Sequence, residues 1–189
     1  LKELEIFQGR KTIRSIEEYH KAYEEKNSKD HHSFISKISR KLPNNIINLN
    51  SKYFEHLKGE ASSLVKKDLR IFNNNIEFRV VRPNSLDNNN LHRDHWFPYF
   101  YPLINIYLPI AGSDFRSVLK VIPKSHNWKD ADVLPTFNYG EDKKTISKEG
   151  IKFSTPNIKY CKHEIVEHRP DVLMGDFMLF SPLCVHGGG

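Results

Sequence analysis

Cysteine is nearly missing: Cys161 and Cys184 are the only two in 189 residues. Two isolated thiols in a chain this long make no disulfide framework, so a reducing compartment, the cytoplasm, is the expected location. No stretch approaches the roughly 20 apolar residues of a membrane span, and no signal-peptide pattern opens the chain. A long Lys/Arg block is missing too. The 29 basic and 23 acidic residues leave a formal charge of +6. They are interleaved, as in "KGEASSLVKKDLR" and "GEDKKTISKEG", which is the pattern of a solvated face. That excludes the concentrated basic patch expected of a nucleic-acid binder, while a mildly positive surface favours an anionic small molecule. There is no internal repeat and no low-complexity tract beyond asparagine clusters, which sit where turns are expected. The chain starts at Leu1 and stops at "HGGG", so a fragment of a longer protein is expected, with an incomplete C-terminal end.

What is present suits one globular domain over 1–189, since 38% of the residues are hydrophobic and a chain of this length can bury a core. Its first part, 1–75, reads as a helical layer. "SIEEYHKAYEEKN" carries Ser15 and Glu18 at capping-box spacing, with Ile16, Tyr19 and Tyr23 as a stripe. "HHSFISKISRKL" places Phe34, Ile35, Ile38 and Leu42 on one side, and Pro43 stops it. "SKYFEHLKGEASSLVKKDLRIF" continues with Tyr53, Phe54, Leu57, Leu64 and Leu69, interrupted by Gly59, a weak helix former. From 76 to 189 the texture becomes β-rich. "IEFRVVRP", "PLINIYLPI", "SVLKVIP" and "IKYCKHEIVEH" are strand candidates, and "DVLMGDFMLFSPLCVH" reads as strand, Gly-Asp turn, strand. Short strands between Pro, Gly, Asn and Asp turns predict a β sandwich or barrel with the helices packed on it.

Chemistry concentrates in three places. In "NLHRDHWFPYF", His92 and Asp94 sit at i and i+2, and on an extended segment their side chains share a side. An imidazole nitrogen and a carboxylate oxygen can then converge on a cation; Arg93 and His95 fall on the opposite side. Alone, such a pair is more often a hydrogen-bonded loop than a metal site. In "VLMGDFMLFSPLCVHGGG", His186 ends an apolar strand, and the three glycines after it let backbone come close to a ligand. The bland alternative is a surface histidine after a buried strand. Two histidines and one carboxylate on one face are the donor set of non-haem Fe(II) oxygenases. In "VLKVIPKSHNW", Ser125 and His126 follow a strand and a proline, where a hydroxyl and an imidazole tie down a turn.

Taken in order, "LHRDHWF", "VIPKSH" and "GDFMLFSPLCVHGGG" resemble the phytanoyl-CoA dioxygenase-like family of Fe(II)/2-oxoglutarate oxygenases, over roughly Ile76 to Gly189. Lys124 stands where the family's "IPGSH" has glycine. The resemblance implies a double-stranded β-helix (jelly-roll) core with flanking helices, and iron held by His92, Asp94 and His186. It implies 2-oxoglutarate and O2 as co-substrates, with ascorbate supportive, and hydroxylation of a small organic substrate. Because Asp94 is present, hydroxylation is favoured over the halogenation of relatives that lack the carboxylate. The co-substrate's far carboxylate needs a cation. The family usually supplies an arginine past the distal histidine, beyond Gly189 here, and often a serine where this chain has Gly188. Among the residues present, Arg79 is the expected supporting contact. Arg82, three positions on, would face the other way. Asn105, a polar residue in an apolar strand, is either a satisfied core amide or a contact to co-substrate or substrate. "HWFPYFYP" and "TFNYGEDKKTISKEGIKFSTPN" are expected near the active-site mouth. The motifs look more like those of members linked to sugar or natural-product modification than like those of fatty acyl-CoA members. Two other readings stay open: a non-catalytic jelly-roll binding module, and a cupin-like metal enzyme of another reaction class.

Overall fold

The structure, a computed structural model, describes residues 31–39, 51–70, 77–82, 89–97, 103–139, 141, 145–146, 152–153 and 155–189. The chain forms two compact units, Lys29–Val80 and a larger one that includes Val81–Gly189. The helix expected over Ser15–Asn27 lies outside the described residues.

In the smaller unit, helix α1 covers 31–39 and buries Phe34 and Ile35, while Ile38 is half-buried. Helix α2 is Ser51–Val65. Its buried stripe is Leu57 and Ala61, four residues apart, with Phe54 half-buried. Leu64 falls off that stripe and is 66% exposed. Gly59 does not interrupt the helix: it sits on the exposed side, where only its weak propensity counts against it. The helix stops short of Leu69 because Lys66 takes a left-handed conformation (φ 53), a usual helix ending. The Lys67 amide then closes back on the Ser62 carbonyl, and the Leu69 amide on the Ser62 hydroxyl. The expected strand "IEFRVVRP" does not form over its described residues 77–82. Its backbone is satisfied otherwise: the Phe78 amide donates to Ser39 Oγ, and the Phe78 carbonyl accepts from the same hydroxyl.

The larger unit is β-rich and built from four small antiparallel sheets. The strands are β1 (Asn105–Tyr107), β2 (Lys120–Val121), β3 (Val133–Pro135), β4 (Thr145–Ile146), β5 (Lys152–Phe153), β6 (Ile158–Cys161), β7 (Met178–Phe180) and β8 (His186–Gly187). β1 pairs with β7, with Asn105 opposite Phe180; β2 pairs with β8, with Val121 opposite His186. β3 pairs with β6 across a bulge between Leu134 and Pro135, and β4 with β5. The strands expected in "PLINIYLPI", "SVLKVIP", "IKYCKHEIVEH" and after the Gly-Asp turn are present but shorter than their apolar runs, whereas the one expected at "DVLM" before that turn does not form, leaving only an isolated Met174–Asp176 bridge. Pro109, which has no N–H to give a ladder, follows β1 at one residue's distance. The Gly-Asp turn before β7 needs Gly175 at φ 102, a conformation that L side chains rarely adopt. Asp176 fastens this turn by accepting the Leu173 amide.

Isolated bridges extend the β2–β8 pair. His92 bridges His186 on one side, and Val121 bridges His168 on the other. Backbone segments therefore lie in the order His92, His186, Val121, His168. Side chains alternate along them. Val185 and Leu91, one residue before the two histidines, turn into a core with Ile122, Val133, Trp96, Trp128, Ile158 and Cys161. The histidines face the other way.

Candidate metal centre

His92 and His186 form a directly opposed, hydrogen-bonded pair. The His92 amide donates to the His186 carbonyl at 2.9 Å, and the His186 amide returns the bond at 3.0 Å. Their rings lie side by side, with centroids 4.4 Å apart, and both residues are buried. Asp94 completes the group: one donor atom from each of His92, Asp94 and His186 lies within 4.8 Å of the other two. The route to this convergence differs from the extended segment expected from the sequence. The backbone is extended only as far as Arg93 and then enters a single 3-10 turn, Asp94–Trp96. That turn brings the carboxylate back between the two imidazoles. The same turn sends His95 away; its Nε2 lies 3.4 Å from Asp130, and its amide donates to the Pro182 carbonyl.

The hydrogen bonds of the two imidazoles reveal what the site is built to hold. His92 Nδ1 lies 2.7 Å from the Asn90 carbonyl, and His186 Nδ1 lies 2.9 Å from the Cys184 carbonyl. A carbonyl only accepts, so each Nδ1 carries its proton, and in the neutral ring each Nε2 carries a lone pair. Both Nε2 atoms face the carboxylate: His92 Nε2 is 3.4 Å from Asp94 Oδ1, and His186 Nε2 is 3.4 Å from Asp94 Oδ2. Two nitrogen lone pairs aimed at an anion repel unless a proton or a cation lies between them. Ligand atoms in neighbouring positions around an octahedral ion, at bond lengths of about 2.1 Å, are separated by about 3 Å. The donor set and the tautomers therefore suit a divalent metal, with the three ligand atoms within 4.8 Å of one another, somewhat wider than in a closed octahedral set. In the metal-free site, where a proton takes the place of a cation between ring and carboxylate, burial alone would raise the Asp94 pKa; the hydrogen bond to His92, the charges of His186 and His92, and a hydrogen bond from Asn105 outweigh it and hold the carboxyl below its usual range. Asp94 thus stays ionised, as a ligand must.

Neighbouring residues hold this arrangement. Asn105 Nδ2 donates to Asp94 Oδ2 at 2.6 Å. Phe180, opposite Asn105 on β7, packs edge-on against the His186 ring at 4.8 Å. Arg93, between the two proximal candidates, has no exposed surface. Its guanidinium donates to the Ser125 and Trp128 carbonyls and to Asp130. The Ser125 hydroxyl donates to the Ile122 carbonyl at 2.7 Å and accepts the Val185 amide at 2.8 Å. "VIPKSHNW" thereby joins the segment of His92 and Asp94 to that of His186. Its histidine takes no such part, since His126 is exposed. Sequence alternation turned Arg93 away from His92 without revealing that this direction is the interior.

The glycines after His186 serve backbone approach. A side chain at Gly187 would meet the Asn89 carbonyl at 3.2 Å and the Asn90 and Leu91 atoms at 3.3 Å. The Gly188 amide donates to the Asn89 carbonyl. Arg79 is exposed, and its guanidinium lies 2.6 Å from Glu77 Oε2; of the two arginines, Arg82 is the buried one. Residues 98–102 and most of 140–154, expected near the mouth, lie outside the described residues. Among the described residues, no helix is long and apolar enough to cross a membrane.

In comparisons with known proteins, the family model described as Phytanoyl-CoA dioxygenase (PhyH) matches residues 8–189. No curated protein and no solved structure matches the chain.

Proposed function

The chain belongs to the phytanoyl-CoA dioxygenase family, a family of Fe(II)/2-oxoglutarate-dependent oxygenases, and we propose that it hydroxylates a small organic substrate at an iron held by His92, Asp94 and His186. One observation carries the reading: two buried imidazoles, each committed at Nδ1 to a backbone carbonyl, aim Nε2 at one carboxylate. Three such donors on one face of an octahedral ion leave three positions open, which suits a chelating 2-oxo acid and O2. When bound, iron with 2-oxoglutarate and O2 supplies the oxidising power: one oxygen atom ends in succinate, CO2 leaves, and the other oxygen enters the substrate C–H bond.

The chain's own residues hold this centre. The reciprocal His92–His186 backbone bonds fix the spacing of the two imidazoles, and the carbonyls of Asn90 and Cys184 fix their tautomers. Such outer partners orient ligands and raise their basicity. Phe180 packs edge-on against the His186 ring. The fold we propose for the larger unit is a double-stranded β-helix. The nesting of β4–β5 within β3–β6 and the antiparallel row His92, His186, Val121, His168 support it. A sugar or natural-product intermediate is our proposed substrate class, on the character of "INIYLPI" and "HRDHWF". The cytoplasm is our proposed compartment, supported by the free thiols of Cys161 and Cys184.

The test is substrate-stimulated succinate formation by the full-length protein with Fe(II), 2-oxoglutarate and ascorbate, screened against sugars and natural-product intermediates. A substrate that raises succinate in step with a hydroxylated product supports the proposal. Product without succinate would place the protein in another reaction class.

A further inference from the structure

Asn105 lies on β1, whose partner strand β7 carries Phe180 directly opposite it. That single rung touches two of the three candidate ligands: Asn105 Nδ2 donates to Asp94 Oδ2 at 2.6 Å, and Phe180 packs edge-on against His186. Asp94 is otherwise balanced between its oxygens. Oδ1 stands 3.4 Å from His92 Nε2, and Oδ2 stands 3.4 Å from His186 Nε2. Among the described residues, the Asn105 amide is the contact that distinguishes the two oxygens.

The count of coordination positions makes that choice matter. An octahedral ion has six. Two imidazoles and one carboxylate oxygen fill three. A 2-oxo acid chelates through its keto oxygen and one carboxylate oxygen, filling two more, and O2 takes the last. If Asp94 bound through both oxygens, the chelate and O2 would be one position short. An amide N–H held on Oδ2 occupies a lone pair of that oxygen and weakens it as a donor to the ion. Oδ1 has no such competitor from Asn105. An amide suits the task because it is neutral: a Lys or Arg in its place would add a positive charge beside the ion. Its position on a paired strand fixes its reach.

We propose that Asn105 is a positioning residue that limits Asp94 to one-oxygen ligation through Oδ1, reserving a coordination position for the 2-oxo acid. This rests on the metal reading given above, and it assigns Asn105 to the carboxylate ligand, not to direct contact with the co-substrate.

Mn(II), which binds without turnover, serves as the probe in the full-length protein. Calorimetry measures Mn(II) binding first and then 2-oxoglutarate binding at saturating Mn(II), for the parent, Asn105→Leu and Asn105→Gln. Leucine keeps the bulk and removes the donor; glutamine keeps a donor. The expected result for Asn105→Leu is a 2-oxoglutarate Kd raised about tenfold or more, with Asn105→Gln nearer the parent. Saturation with metal separates this from a general loosening, which would weaken Mn(II) and leave 2-oxoglutarate binding to the loaded protein unchanged. Asn105→Ala gives the same reading should leucine disturb folding. A 2-oxoglutarate Kd within about twofold of the parent in the donor-free variants overturns the Asn105 assignment alone, whatever happens to Mn(II). A parent protein that binds no Mn(II) overturns the metal reading and this inference with it.

Discussion

Replacing Arg93 with methionine tests whether the buried guanidinium holds the two halves of the site together. Arg93 has no exposed surface, and Nη2 lies 2.6 Å from the Ser125 carbonyl and 3.1 Å from the Trp128 carbonyl. Methionine fills similar space and donates nothing. The Trp128 carbonyl then loses its donor, at about 1–3 kcal/mol. The Ser125 carbonyl keeps the Trp128 amide at 3.1 Å, so its loss is smaller, about 1 kcal/mol. Asp130 is 66% exposed, and its lost ion pair adds about 0–1 kcal/mol after screening by solvent. Two terms oppose these. Burial of the charge is relieved, as the lowered Arg93 pKa reflects, and the Nε atom, which has no partner, disappears. Together they return about 1–2 kcal/mol. The mid-range values sum to a net loss of about 2 kcal/mol, or a Tm lower by about 4–8 °C for a chain of this size. Thermal unfolding of the metal-free protein by circular dichroism measures it. Arg93→Lys should fall between, because one ammonium cannot span both carbonyls and Asp130. A methionine variant as stable as the parent would refute the reasoning.

Two further outcomes follow from single residues. Lys124 sits in the left-handed region (φ 66, ψ 0), which costs a non-glycine residue about 1–2 kcal/mol; after the extra unfolded-state entropy of glycine, about 0.5–1 kcal/mol, Lys124→Gly should stabilise by about 0.5–1 kcal/mol, and a lowered Tm would contradict it. For Asp94, the folded pKa lies below the ordinary carboxylate value, so its contribution is full at neutral pH and is lost as pH falls below about 4 through the folded value; acid unfolding of metal-free Asp94→Asn should therefore depend less on pH there, and acid limbs of equal steepness would refute the assignment.

Much of the site could be read from residue types, and much of its support could not. His92, Asp94 and His186 stand out in sequence because their donor types are rare in combination, and the structure brings those side chains together. The i, i+2 argument assumed an extended chain, whereas a 3-10 turn at Asp94 does the work. A local rule reached the pair without describing the backbone that makes it. Arg93 and Asn105 show where such reasoning stops. Alternation says which way a side chain leaves the strand, but what waits there depends on Ser125, Trp128 and Asp94, residues 11 to 35 positions away. Lys124 is the converse case: glycine in the family's motif marks a left-handed position, and the backbone keeps that conformation with lysine in place. In the fold, strand positions followed apolar runs between turn-formers, but strand lengths did not. "IEFRVVRP" had the composition of a strand, yet Ser39 satisfies its Phe78 backbone groups instead. The helical stripe misplaced Leu64 because periodicity says which residues align, and packing decides which alignment is buried.

The central claim is that His92, Asp94 and His186 jointly hold one divalent ion. Its most direct test is anaerobic Fe(II) titration of the full-length protein beside His92→Ala, Asp94→Ala and His186→Ala, with bound metal counted per chain. The account predicts one ion per chain in the parent and loss of tight binding in each variant. Tight binding that survives all three substitutions would contradict it.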